Sequence, residues 1–241
     1  MAQPIVSLKD VVKSYQLGKI TVPAVRGVSL EIGDGEFSAI AGPSGSGKTT
    51  LLNLIGCVDT ATSGDVTVAG NKTNGLSDKQ LTDLRLFEIG FVFQTFNLIS
   101  VLTAFQNVEF PLLLQKKLGK AERQAAVNEM MKKVGLSDKM HHRPNELSGG
   151  QRQRVSVARA LVSRPKIVLA DEPTANLDTE TGNAIIDLMH ELNRSEGTTF
   201  IFCTHDHKVL RQADRVIWLE DGRVTDRDKK GAAAAAAMGG V

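Results

Sequence analysis

Gly42-Pro43-Ser44-Gly45-Ser46-Gly47-Lys48-Thr49 is the stretch that decides the fold of this chain. It follows an apolar run, Phe37 to Ala41, of the kind found in a buried strand. It leads into Leu51 to Val58, whose apolar content suits a helix. The pattern G-x-x-x-x-G-K-[ST] between strand and helix is that of a phosphate-binding loop. The glycines let backbone amides close around phosphate oxygens without obstruction from side chains. The helix that follows points its positive end at the anion. Lys48 is expected to reach the β and γ phosphates of a bound nucleotide, and the Thr49 hydroxyl to ligate Mg²⁺. Residues Gly42 to Thr50 form the expected nucleotide-binding loop.

Working outward, Ile167 to Ala170 is a second buried strand, and it ends in Asp171-Glu172. Ligands in α/β sheets bind at the carboxyl ends of strands. Asp171 there can hold Mg²⁺ through water, and Glu172 can polarise an attacking water as general base. Leu147-Ser148-Gly149-Gly150-Gln151 then opens a basic helical stretch, Arg152 to Arg164. Ser148 and Gln151 have the spacing of a capping box, and the two glycines leave amides bare at a helix start. That is a second anion site in the chain, whereas one nucleotide needs only one phosphate loop.

The pieces resemble the signature motifs of ATP-binding cassette (ABC) ATPases, from about Ile5 to Arg227. The resemblance implies a P-loop NTPase ABC cassette with a RecA-like core, an antiparallel β subdomain and an α-helical signature subdomain at about 95–163. It implies that two cassettes dimerise head to tail, each signature helix covering the nucleotide of the other. It places Tyr15 against adenine and Gln94 at Mg²⁺ and the water. Asn176-Leu177-Asp178 resembles the loop that crosses the dimer interface, and His205 the histidine that contacts the γ phosphate. Ile89-Gly90-Phe91-Val92-Phe93-Gln94, Phe96-Asn97-Leu98 and Leu54 to Asp59 resemble the lipoprotein-releasing and macrolide-export branch, with the cell-division cassette nearby. A membrane permease partner follows from that likeness. The alternative is a cell-division-type switch that signals across the membrane without transport. A soluble kinase or GTPase is disfavoured by Leu147 to Gln151.

Spacing narrows the class. Only 123 residues (171 − 48) separate Lys48 from Asp171, which leaves no room for the long coiled coil of the chromosome-maintenance relatives. Five of the nine phenylalanines fall between Phe91 and Phe110. Phe96 to Leu102 is expected to line the docking surface for a helix of the permease.

The remaining sequence reads as alternating strands and helices, which implies a parallel sheet with helices on its faces. Strands are expected at Ile5 to Tyr15, Val28 to Ile32, Asp65 to Ala69, Ile89 to Phe93, Thr199 to Cys203 and Val216 to Leu219. Helices are expected at Lys120 to Val134, Thr179 to Arg194 and near Lys208. One domain covers 1–227, and 228–241, with six alanines in a row, reads as a tail.

Composition sets the outer limits of function. The 241 residues carry 29 basic and 27 acidic side chains, for a net +2, which does not argue for a nucleic-acid partner. No segment approaches the ~20 apolar residues of a membrane span, and Met1 to Pro4 do not begin a secretory signal. The resemblance to ABC transporter subunits implies a peripheral protein on the cytoplasmic face of the inner membrane. Cys57 and Cys203 read as buried thiols. His205 and His207 are a poor metal pair without a third ligand, and His141 and His142 read as solvated.

Overall fold

The computed structural model describes residues 3–225. The chain starts with β1 (Val6–Leu17), β2 (Ile20–Ile32) and β3 (Phe37–Ala41), followed by α1 (Lys48–Ile55), β4 (Ser63–Val68) and β5 (Asn71–Lys72). Next come α2 (Asp78–Glu88), β6 (Ile89–Phe93), α3 (Ala104–Gln115), α4 (Lys120–Lys133) and α5 (Gly149–Leu161). It continues with β7 (Ile167–Asp171), α6 (Thr179–Glu196), β8 (Thr199–Cys203), α7 (His207–Gln212), β9 (Arg215–Glu220) and β10 (Arg223–Val224). Two sheets result, an antiparallel one in the order β2-β1-β4-β5 and a second in the order β10-β9-β3-β8-β7-β6. In the second, β9, β3, β8, β7 and β6 run parallel.

The two-residue period of the parallel strands divides the core. Phe200 and Phe202 of β8, Val168 and Ala170 of β7, and Phe37 and Ala39 of β3 face the layer of α3 to α7. Their neighbours Ile201, Cys203, Ile167, Leu169 and Ile40 face α1 and the antiparallel sheet. Strands buried on both faces read as near-continuous apolar runs, which is why these were legible. Each fully buried side chain of this size contributes roughly 1.5–3 kcal/mol.

Differences from the sequence reading have physical causes. β2 starts at Ile20, well before Val28, because its first half is an exposed hairpin arm with no buried alternation. α1 ends at Ile55, and Cys57 turns left-handed (φ 54°). α2 and α3 carry few buried residues, and Pro111 inside α3 interrupts a helical pattern. Their starts were nevertheless marked, since Ser77 with Gln80 and Thr103 with Gln106 each form a capping box. The helix expected over Arg152 to Arg164 begins at Gly149, and Arg164 already turns left-handed at φ 52°. The tail expected at 228–241, and residues 226 and 227, lie outside the described residues.

Candidate functional site

Register brings the site together. Phe93 pairs with Asp171, Asp171 with Cys203, and Cys203 with Ile40. The strand ends leading to Gln94, Glu172, Thr204-His205 and the phosphate loop therefore share one edge of the sheet.

The phosphate loop leaves β3 through Gly42 (φ 151°), where a Cβ would lie 1.9 Å from the Leu219 carbonyl oxygen. Only glycine fits there. Gly47 (φ 101°) caps α1 in a left-handed conformation, and its missing Cβ would lie 2.4 Å from the Ala24 carbonyl oxygen. Gly45 also has positive φ, 78°. Pro43 and Ser44 are exposed on the loop, and Thr50 is half-buried in the first turn of α1. The Lys48 ammonium donates to the carbonyls of Gly42 and Pro43, both at 2.9 Å, which folds it back across the loop. Its third hydrogen is left for a ligand. Ser46 is 3% exposed, and its Oγ has no hydrogen-bond partner. A buried unpaired hydroxyl costs about 1–3 kcal/mol. An anion with several acceptor oxygens fits this cradle and would relieve that cost.

Thr49 Oγ1 donates to the Asp171 carboxylate, 3.2 Å from Oδ2. Burial pushes the Asp171 carboxyl above its ordinary range, and the Thr49 hydrogen bond offsets this only in part. Nearby Lys48 lowers it as well, while Glu172 raises it. A carboxylate held reluctantly charged beside a hydroxyl, both oxygen donors, fits Mg²⁺, a hard cation. Gln94 follows Phe93 at the adjoining strand end and is exposed.

Glu172 is held in a left-handed conformation (φ 44°) by its amide, which donates to the Cys203 carbonyl at 2.8 Å. Such strain persists where the surroundings over-determine it. Thr204 Oγ1 donates to Glu172 Oε2 at 3.1 Å, and His205 Nδ1 lies 2.8 Å from Oε1. An ionised carboxylate only accepts, so His205 carries its hydrogen on Nδ1 and turns Nε2 outward. Each carboxylate oxygen keeps a lone pair for a proton. Thr204, fully buried, was missed in the sequence, where a threonine after an apolar strand carries no distinguishing signal.

The signature residues lie elsewhere. Ser148 Oγ accepts from the Gln151 amide at 3.3 Å, and Gln151 Oε1 from the Ser148 amide at 2.9 Å. A Cβ on Gly150 would lie 2.3 Å from Thr181 Cγ2, and one on Gly149 3.3 Å from Leu177. Among the described residues, no hydrogen bond joins Ser148 to Gln151 with the phosphate loop. Asp178 caps α6 by accepting from the Thr181 amide, which holds its carboxyl below the ordinary range. Asn176 Nδ2 donates to the Gln94 carbonyl at 2.9 Å. Tyr15 is 36% exposed, with its hydroxyl 2.9 Å from Asp59 Oδ2 and Lys13 Nζ 5.0 Å from its ring centroid.

A groove of about 260 Å³ lies beside Gln94, lined by Leu86, Phe93, Asn97, Phe110, Leu114 and Arg159. Of Phe96 to Leu102, only Asn97 lines it. Leu98 packs against the main core, and Phe96 lies under the Arg152 guanidinium, 5.1 Å from its ring centroid. The exposed apolar side chains of the groove come from α3, while Ile99 and Val101 of the expected segment are exposed outside it, on a loop that Asn107, buried within α3, ties down. Asn107 accepts from the Ile99 amide at 2.8 Å and donates to the carbonyls of Ile99, Leu102 and Thr103.

The sequence profile of the family described as ABC transporter matches residues 25–175. An ABC transporter ATP-binding protein of Methanocaldococcus jannaschii, MJ0796, is 47% identical over 93% of this chain and 97% of its own length. The macrolide export ATP-binding/permease protein MacB of Mannheimia succiniciproducens is 45% identical over 94% of this chain. The chain spans only 35% of that longer protein. The dimeric structure of MJ0796 in a post-hydrolysis state, bound to ADP and Pi, superposes with a TM-score of 0.85 at 47% identity, covering 93% of this chain and 98% of that one.

Proposed function

The chain belongs to the ABC transporter family and is an ATPase, and we propose that it works as half of a head-to-tail dimer driving a membrane permease. The observation that carries this is a capped helix start with two bare glycines, Ser148 to Gln151, whose cap hydrogen bonds close within it and not, among the described residues, on the phosphate loop of its own chain. The second chain's Gly149 and Gly150 amides, left bare between the Ser148 and Gln151 cap bonds, complete each site. The dimeric state of the MJ0796 cassette bound to ADP and Pi supports this arrangement.

Within one site, Lys48 and the N–H groups of the Gly42 to Thr50 loop, Pro43 having none, bind the phosphates, and Tyr15 packs against the base. Thr49, Gln94 and Asp171 are the oxygen donors that would hold Mg²⁺, which when bound screens the phosphate charge. Glu172 takes a proton from the attacking water. Thr204 and the His205 Nδ1–H fix the carboxylate, which leaves Nε2 of His205 to contact the γ phosphate. Asp178 holds the start of α6, and with it the loop at the dimer interface.

Among the described residues no helix is long and apolar enough to cross a membrane. The permease partner is of the lipoprotein-release or macrolide-export type, with the ATPase on the cytoplasmic face of the inner membrane. The MacB relative, which joins such an ATPase to a permease in one chain, supports that choice. The groove beside Gln94 receives the permease helix, with Phe110 and Leu114 as its apolar wall. The test is Ser148→Arg, which blocks the helix start without touching the phosphate loop. It should bind fluorescent ATP as the parent does, yet stay monomeric in sedimentation with ATP. Unaltered ATP-induced dimerisation would overturn the composite site.

A further inference from the structure

We propose that Arg159 is a positioning residue for hydrolysis, setting the loop that carries Gln94 from the signature helix. The inference rests on the reading of Gln94 as a residue of the nucleotide site. From α5, Arg159 Nη2 donates to the Phe96 carbonyl at 2.8 Å and Nη1 to the Asn97 carbonyl at 2.5 Å. One planar fork thus holds two consecutive carbonyls, which lysine cannot do.

Those two residues need holding. Phe96 (φ 62°) and Asn97 (φ 48°) are both left-handed. Asparagine tolerates that region, whereas for a bulky phenylalanine it is an outlier. Residues kept in such regions cost of order 1–3 kcal/mol each and persist only when their surroundings over-determine them. Here the determinants are the Arg159 fork and the Arg152 guanidinium over the Phe96 ring. On the other side Asn176 ties down the Gln94 carbonyl. The segment from Gln94 to Asn97 is clamped between the loop before α6 and the helix that begins at the signature. Arg159 also lines the groove beside Phe110 and Leu114. A movement of α5 therefore reaches the Gln94 loop through the Arg159 fork and the Arg152 guanidinium, and an occupant of the groove reaches it through Arg159. Arg159 touches no phosphate-loop residue and acts through the loop.

A double-mutant cycle on ATPase kinetics tests this. Arg159→Met should lower kcat by roughly tenfold or more, as small misplacements of catalytic groups do, with KM for ATP little changed. In a Gln94→Ala background the same substitution should change kcat by less than about twofold, because the group it positions is gone. Adding Asn97→Gly to Arg159→Met should restore part of the lost kcat, since glycine adopts the left-handed conformation without the fork. Thermal unfolding of each variant separates these effects from loss of fold. If Arg159→Met does not fold, Arg159→Lys keeps the charge and stem without the fork and should show the same pattern. An equal fall in kcat with and without Gln94, a rise in KM at unchanged kcat, or no effect would each overturn the proposal. If Gln94→Ala itself leaves kcat intact, the reading of Gln94 fails and takes the positioning role with it.

Discussion

At Gly90 the backbone of β6 lies close against the signature helix, and replacement of this glycine by alanine has a calculable consequence. Gly90 sits in β6 opposite Val168 of β7. A Cβ there would lie 2.3 Å from the Ala160 carbonyl oxygen and 3.0 Å from its carbonyl carbon. Ordinary contact begins at 3.4 Å, so the separation falls 1.1 Å short. The obstructing atoms are helix backbone, which no rotamer change can clear. α5 must withdraw from the sheet by about an ångström along its last turns. Overpacking of this kind costs about 1–3 kcal/mol. For a chain of this size each kcal/mol lowers Tm by about 2–4 °C, so Gly90→Ala should melt roughly 2–12 °C below the parent. Gly119→Ala is the control. Its Cβ would meet only the flexible Glu122 carboxylate at 3.3 Å, with φ at −67°, and it should stay within about 0.5 kcal/mol of the parent. Because Arg159 neighbours Ala160 and Ser148 caps the same helix, ATPase activity should fall beyond what unfolding explains. Differential scanning fluorimetry and a coupled ATPase assay at 25 °C measure both. A Gly90→Ala chain that melts with the parent would refute the close approach of β6 and α5.

Further outcomes follow from the same contacts. Burial first, and Glu172 nearby, make Asp171 harder to ionise in the fold than in the unfolded chain. Its folded value is raised, so nucleotide-free stability is present below the unfolded value of 3.8 and lost as pH rises through the folded one. Asp171→Asn should therefore raise Tm without nucleotide at pH 7, and abolish the further rise given by ATP with Mg²⁺; a lower Tm contradicts this. Burial also pushes the Cys57 thiol up to about 11, against partial relief from Arg85, and the Cys203 thiol well above its ordinary value. Ellman's reagent at pH 8 should find neither until the chain is unfolded, and rapid labelling of the native chain would show the burial to be wrong. Leu114→Glu should keep Tm and basal ATPase while losing co-purification with the membrane partner. Retained co-purification would remove α3 from the docking surface.

Much of this molecule could be read from its residues, for identifiable reasons. β3, β7 and β8 are buried on both faces, so their apolar runs and the motifs at their ends stood out. The register of these strands then delivers Asp171, Glu172 and His205 to one edge, which no local pattern states. α2 and α3 escaped because Leu81 and Leu84 are the only buried residues of α2, and Pro111 breaks the pattern of α3. Phe96 to Leu102 was expected to dock the permease from the resemblance and its apolar residues; Asn107, a polar residue 0% exposed, ties that loop down with Leu98 against the core and Val101 exposed. Tertiary hydrogen bonds of this kind leave no periodicity in the chain. Thr204 and Arg159 were invisible for the same reason, since their partners are a carboxylate 32 residues away and carbonyls 62 and 63 residues away.

The most direct measurement is single-turnover ATP hydrolysis by Glu172→Gln. The amide keeps the length of the side chain and a hydrogen-bond acceptor for Thr204, loses the capacity to take a proton, and turns a donor toward His205, whose Nδ1 must then accept. The account predicts a fall of roughly 10²–10⁴-fold, the usual share of a general base, together with an ATP-bound dimer that persists in sedimentation. Hydrolysis at the parent rate would contradict the assignment of Glu172 and the chemistry built on it.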